Sequence, residues 1–328
     1  RAGNLGTSSS TLTIVVNTAL PAAPVLALTT SSDTGASSTD RITASNKPTF
    51  SGTGTNGDTI KIYEGSTVLG STVVAGGVWS ITLASELSDA SHTLRAQTVD
   101  AAGNASSYSA NLAVVVDTTR PPSPLISSSP LPKNSSTPTV SGTAEAHSVV
   151  KLYAGESLVA TTTANESGAW SVATSSLTDA VYSLTASATD KAGNASLYTS
   201  AASLTIDTAS PAAPTMNALS AYSLTPTLSG TGEVGATVEV FDGVVSLGTA
   251  VVGSGGQWTL TISTLGAGAH SFTAKQTDGA TNTSVSSNPA RTMSAVQTGA
   301  LIGANGVVDN GVSLTVSQYS ADGISSID

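Results

Sequence analysis

The sequence predicts an all-β protein built from tandem β-sandwich domains of about seven strands each, stacked end to end as a rod. Three observations carry this. No long stretch places apolar residues at three-to-four spacing with charges opposite, so helix patterning is missing. Thr, Val and Ile alternate with polar residues in short runs that Gly, Pro, Asn and Asp punctuate, which suits half-buried strands and their turns. Three words also recur in fixed order with a period of about 90 residues. That is too long for a small solenoid unit and right for a whole sandwich domain.

The words keep strict register. "KPTFSGTG", "TPTVSGTA" and "TPTLSGTG" place Pro48, Pro138 and Pro226 at separations of 90 and 88. Trp79, Trp170 and Trp258 follow at separations of 91 and 88. Asp100, Asp190 and Asp278 then open a turn, "DAAGN", "DKAGN" and "DGATN", again 90 and 88 apart. Closing segments match as well: "IVVNTALPAAP" (14–24), "VVVDTTRPPSP" (114–124) and "LTIDTASPAAP" (204–214).

Within the second copy the strands read in order as "SPLISSSP", "TPTVSGTA", "SVVKLYAG", "SLVATTTAN", "AWSVATSS", "YSLTASATD" and "YTSAASLTID". Seven short strands with turns every 8–12 residues make the immunoglobulin-like pattern, here without its disulfide because the chain has 0 cysteines. One Trp per copy at constant phase, opening the fifth strand, is expected to plug the core. Tyr63, Tyr153 and Phe241 share a third-strand position and are expected to pack likewise. His92 and His270 fall where the middle copy has Tyr182, so they read as surface or edge residues.

The expected organisation is 1–17 as the last strand of a preceding repeat, repeats at 18–117, 118–207 and 208–295, and a C-terminal segment 296–328 that begins another domain or forms a tail. Asn17 to Asp117 spans 100 residues and Asp117 to Asp207 spans 90, so the first full copy carries a ten-residue insertion. It falls in "TTSSDTGASSTDRITASN" (29–46), read as the A–B loop. Starting inside a repeat word, the sequence is expected to be a piece of something longer. Threading strands A to G through a sandwich puts the F–G turn at the same end as the start of strand A. Each "DxAGN" turn should therefore face the closing "D-T" of the copy before it.

Composition narrows function. A formal charge of −10 disfavours nucleic acid, which needs clustered Lys and Arg, and an anionic membrane surface. No apolar run approaches the roughly 20 residues of a membrane span, so no membrane insertion is expected. Three histidines, no helix-opening phosphate loop and no cleft for paired carboxylates leave no basis for an enzyme.

Together the "SGTG/SGTA" strand, the "DxAGNxS" turn and the "DTxxP" closing segment resemble the tandem bacterial Ig-like repeats of giant type I-secreted, biofilm-associated surface adhesins. The resemblance covers roughly residues 1–295. It implies an extracellular, cell-surface stalk for cell adhesion and biofilm formation, stiffened by Ca2+ held between neighbouring repeats of the same chain. The carried-over ligands are Asp117 with Asp190 and Asn194, joined by Asp33 and Asp40 from the inserted loop. The next junction offers Asp207 with Asp278, Asn282 and Glu233, whose counterpart one copy earlier is Glu145. At the first junction Asn17 replaces the closing Asp and leaves Asp100 and Asn104. Calcium takes six to eight oxygens, and converging carboxylates repel unless a cation neutralises them. The plainer reading is that these Asp and Asn residues only hydrogen-bond their own turns. Alternatives in function are a ligand-binding Ig-like module for glycan or host protein, directly or through a distal domain, and an S-layer or filament subunit.

Overall fold

The computed structural model describes residues 10, 12–127, 132–218, 225–266, 268–287, 290–295, 318–320 and 323–325. Among them the regular structure is all strand, and all of it but a C-terminal hairpin falls into three sandwiches with three separate cores.

The first sandwich contains β1 (Ala27–Leu28), β2 (Ile42–Thr43), β3 (Thr49–Thr53), β4 (Thr59–Glu64), β5 (Thr67–Val73), β6 (Val78–Thr82), β7 (Ala90–Val99) and β8 (Leu112–Val116). One sheet has the order β1-β3-β6 and the other β2-β8-β7-β4-β5. All pairs are antiparallel except β2 with β8, which run parallel. The opening strand thus changes sheets: β1 lies on β3, and β2 has crossed to β8. The ten-residue insertion, expected as an A–B loop, sits at that crossing, between β1 and β2.

The second sandwich repeats the plan with β9 (Leu125–Ile126), β10 (Thr139–Thr143), β11 (Val149–Ala154), β12 (Ser157–Thr163), β13 (Ala169–Ala173), β14 (Ala180–Thr189) and β15 (Ala202–Ile206). Its sheets are β13-β10-β9 and β12-β11-β14-β15, and Lys133 bridges Ile206 in parallel where β2 stood. The third has β16 (Thr227–Thr231), β17 (Thr237–Asp242), β18 (Val245–Val251), β19 (Gln257–Thr261), β20 (Gly268–Thr277) and β21 (Arg291–Ala295), in sheets β16-β19 and β18-β17-β20-β21. Of segment 296–328, the described residues form a hairpin of β22 (Gln318–Ser320) and β23 (Gly323–Ser325); other expectations for it lie outside the described residues.

The alternation seen in sequence is the alternation of burial. In β8, Leu112, Val114 and Val116 face the core while Ala113 and Val115 face out. Trp79, Trp170 and Trp258 are 4%, 3% and 2% exposed, so they are core plugs. Each lies over the glycine of "SGT", Gly52, Gly142 or Gly230, opposite it in register. A methyl group at any of these glycines would strike the tryptophan ring and the carbonyl of the opening strand, at Val25, Leu125 or Thr215. Two words of the repeat are therefore one packing unit. Tyr63 and Tyr153 are only half-buried and meet Tyr108 and Tyr198 edge-on, at 5.4 and 5.5 Å between centroids, in place of the core packing expected.

The histidines also depart from expectation. His92 is buried, with Nδ1 2.8 Å from Glu64 and Nε2 2.9 Å from the Ser88 carbonyl. His270 repeats this with Asp242 at 2.6 Å and the Gly266 carbonyl at 3.0 Å. An imidazole whose two nitrogens both face acceptors satisfies them by carrying both protons. In the middle copy Tyr182 donates to the Thr178 carbonyl, and Ala154 stands where Glu64 and Asp242 would be. Sequence reading compared one position and missed the paired change.

Candidate functional site at the seams

Strands β7, β14 and β20 end in the repeated turn, and its geometry is set by one carboxylate. Asp100 Oδ1 accepts from the Ala102 and Asn104 backbone N–H groups at 2.9 and 2.8 Å, while Asn104 Nδ2 donates to Oδ2 at 2.9 Å. Asp190 accepts from Gly193 N, Asn194 N and Asn194 Nδ2 at 2.7, 2.8 and 2.9 Å. Asp278 accepts from Ala280 N, Asn282 N and Asn282 Nδ2 at 2.8, 2.9 and 2.9 Å. The turn needs a left-handed residue before the Asn, and Gly103 and Gly193 supply it at φ 89° and 99°. The reordered third turn keeps its shape because Thr281 adopts φ 74°.

The second hydrogen of each Asn amide reaches the preceding segment. Asn104 donates to the Asn17 carbonyl at 3.0 Å, Asn194 to Asp117 at 2.7 Å and Asn282 to Asp207 at 2.9 Å. The F–G turn of each repeat thus clips the closing residue of the one before. The closing side chains are held in turn: Asn17, Asp117 and Asp207 each accept through Oδ1 from the N–H two residues on, at 3.1, 3.0 and 3.2 Å. The Asx turns of the plainer reading are therefore present at both partners. They occupy part of each carboxylate and leave other lone pairs open.

Two anchors escaped the sequence reading. Asp89 accepts from Thr118 N at 3.0 Å and from the Thr118 and Thr119 hydroxyls at 2.9 and 2.8 Å. Those bonds hold its carboxyl below the usual range. Asp179 holds Thr208 the same way, at 3.0 and 2.8 Å. They fix the direction in which each linker leaves. The signal was there: "SDA" and "TDA" each stand with their Asp 28 residues before the Asp of a "DT" word.

The two seams between complete repeats are covered differently. Over the Asp190 turn lies the inserted loop: Thr34 Oγ1 donates to the Ala192 carbonyl, and Gly35 packs against Lys191 and Gly193 backbone. Asp190 is 5% exposed as a result. In that loop Asp33 is 6% exposed; Oδ2 accepts from Arg41 N at 3.2 Å, and Oδ1 is buried with no hydrogen-bond partner. Burial, and then the nearby Asp40 charge, raise the Asp33 pKa despite the N–H groups that oppose them. Asp40 is exposed and accepts from Ile42 N at 3.1 Å. Glu145 feels the same seam: burial first, then the charges of Asp190 and Asp117, push its carboxyl up. At the next seam Asn134 Nδ2 donates to Thr281 Oγ1 at 2.9 Å, and Glu233 is exposed. Among the described residues no three acidic or histidine side chains converge as a ready metal cage. A cation here would draw on backbone and amide oxygens beside the carboxylates. An orphaned, buried carboxylate oxygen at Asp33 fits that demand.

A family model described as "Bacterial Ig-like domain" matches residues 20–118 and 132–208, and one described as "Bacterial Ig domain" matches 210–292. A search of curated proteins returned no match. Among solved structures, fibronectin(III)-like modules of Clostridium thermocellum CbhA are 16% identical, covering 50% of this chain and 92% of theirs, with a TM-score of 0.34. The BSP domain of a biofilm-associated protein is 15% identical, covering 74% of this chain and 62% of that one, at 0.22. A marsupial T cell receptor is 8% identical, covering 77% and 95%, at 0.40. Likenesses this distant are no guide to function. No helix among the described residues is long and apolar enough to cross a membrane.

Proposed function

Since the chain belongs to the bacterial Ig-like domain family, we propose that it is a stalk segment of a bacterial cell-surface adhesin, stiffened by calcium at its seams. The observation that carries this reading is the clip repeated at all three seams, where an Asn amide ties its own turn to the previous closing residue. Such a contact transmits orientation from repeat to repeat and offers nothing to a soluble substrate. Proline-marked linkers support it, because proline fixes φ and shortens the range of bending.

Calcium is proposed at two seams. Asp117 and Asp190 would hold it at one, completed by backbone oxygens, with Glu145, Asp33 and Asp40 adding negative charge around them. Asp207 and Asp278 would hold it in the same way at the other, with Glu233 as the neighbouring charge. A bound dication supplies the positive charge that these carboxylates lack. Extracellular modules bind calcium at about 10⁻⁴–10⁻³ M, so millimolar calcium adds about 0.4–1.5 kcal/mol per site. That is small beside a sandwich core and large enough to bias a hinge whose few hydrogen bonds contribute about 1 kcal/mol each. The stalk would extend a distal tip that meets host or matrix glycan or protein. A cysteine-free chain poor in bulky residues suits type I export and folding outside the cell, where calcium is plentiful.

Calorimetric titration of the chelator-stripped chain with calcium tests the reading. Binding with sub-millimolar to millimolar affinity, abolished by joint replacement of Asp117 and Asp207 with Asn, is expected. No heat and no thermal stabilisation would defeat it.

A further inference from the structure

The three closing residues differ in one atom, and that atom decides what the seam needs. Each uses Oδ1 to accept from the backbone two residues on, which fixes the rotation of its side chain. The other terminal atom is then free to address the facing turn. In Asn17 it is an amide nitrogen, and Nδ2 donates to Asp100 Oδ2 at 2.9 Å. The orientation of this amide is not arbitrary. Reversing it would set NH2 against the Ala19 N–H and an oxygen against the Asp100 carboxylate.

With that bond Asp100 accepts four hydrogen bonds: two at Oδ1, from Ala102 N and Asn104 N, and two at Oδ2, from Asn104 and Asn17 amides. A carboxylate offers about four lone-pair sites. Asp100 is saturated by donors, and its carboxyl is held below the ordinary range, with Asn104 the largest cause. Asp190 and Asp278 each accept three bonds from their own turns, Asp190 from Gly193 N where Asp100 and Asp278 use the N–H two residues on, and the residue in the place of Asn17 is Asp117 or Asp207. An oxygen replaces the fourth donor there.

A second position changes in step. Glu145 and Glu233 occupy the same place in the B–C turn after "SGTA" and "SGTG", and the first copy has Thr55 there. Closing Asp occurs with Glu and closing Asn with Thr, while the first copy carries the acid of its B–C turn three residues on, at the buried Asp58, where the later copies have Ser148 and Ala236.

We infer that the Asn17 seam is a cation-independent joint, in which the side-chain amide takes the place of the ion that the Asp117 and Asp207 seams require. This rests on the calcium reading of the two later seams. The chain would then join one permanently closed seam to two that respond to calcium, so that removing the ion bends the column at chosen places.

Calcium titration of the 15N-labelled full chain from a chelated start, followed by NMR, tests this. The Asn194 and Asn282 side-chain amides should shift with calcium, while those of Asn17 and Asn104 stay fixed and protected from exchange throughout. Asn17→Asp, and Asn17→Asp with Thr55→Glu, should give the Asp100 turn a calcium response. Asp117→Asn should weaken the response of the Asp190 turn at least tenfold while leaving the seam closed. Equal responses at all three seams would overturn this inference and leave the calcium reading standing; responses at none would overturn both. Failure of both Asn17 variants to gain a response, with the later seams responding, would also overturn it alone.

Discussion

The seam at Asp117 and the seam at Asp207 share a clip and differ in their cover. In both, an Asn amide donates to the closing carbonyl, at 2.7 and 2.9 Å. Over the first lies the loop that only the first repeat carries, with Thr34 and Gly35 against the Lys191–Gly193 backbone. Over the second there is a side-chain bond, Asn134 to Thr281. The clip is generic because each repeat must accept any neighbour with the closing word. The cover is private to one pair of neighbours, and it is there that individual seams can be tuned.

Exchanging residues between the two seams should have the largest effect. Gly193→Thr copies the residue of the third turn into the second. Its side chain would meet the Gly35 backbone, with Gly35 N 2.9 Å from the new Cβ, at a φ of 99°. A loss of about 2–4 kcal/mol is expected in the middle repeat and its seam. Hydrogen exchange by mass spectrometry, which resolves each repeat, would measure it. A neutral result would mean that the inserted loop does not cover the turn.

Removing the clips comes next. Asn194→Ala and Asn282→Ala each delete a turn bond and a seam bond, and should each cost about 1–2 kcal/mol locally. Exchange at residues 117–119 and 207–209 should quicken, with the first seam less affected because the loop remains. Equal loosening at both seams would show that the cover contributes nothing.

The reverse exchange is gentler. Thr281→Gly relieves a β-branched residue at φ 74°, a relief of about 1–2 kcal/mol, and forfeits the bond from Asn134. The third turn should gain at most about 1 kcal/mol in denaturant titration. His147→Gly, at φ 65° where the other copies have Gly57 and Gly235, lacks that offset and should gain more clearly.

Smallest is a pH effect that separates the outer repeats from the middle one. The Asp242 carboxylate and the Gly266 carbonyl raise the His270 pKa against burial. At His92 burial is the largest influence and opposes the charge, yet the Ser88 carbonyl and Glu64 outweigh it. A raised imidazole pKa means stabilisation that is full below about 6.5 and is lost as pH rises through the folded value. The first and third repeats should therefore weaken between mildly acidic and alkaline pH, while the Tyr182 repeat does not follow. His92→Tyr with Glu64→Ala should abolish the dependence in the first repeat.

Much of this was legible in the sequence because the repeat did the aligning. Constant Trp spacing revealed the core, and threading seven strands put the "DxAGN" turn against the previous "D-T". Pairings between distant positions were harder. The glycine of "SGT" and the tryptophan were read as separate words, although one exists to admit the other. His92 was read against Tyr182 alone, and only coordinates show that Glu64 changes to Ala154 with it. The crossing of the opening strand from β3 to β8 left no mark in periodicity, since both sheets bury alternate residues. Donor saturation at Asp100 depends on which end of the Asn17 amide faces inward, which composition does not encode.

We propose that calcium in the Asp117 and Asp207 seams keeps the repeats in line. Small-angle scattering of the full chain in millimolar calcium and then in excess chelator tests it most directly. An extended column is expected with calcium and a shorter, broader distribution of distances without it, restored on adding calcium back. Identical profiles in the two conditions, with the repeats folded in both, would contradict it.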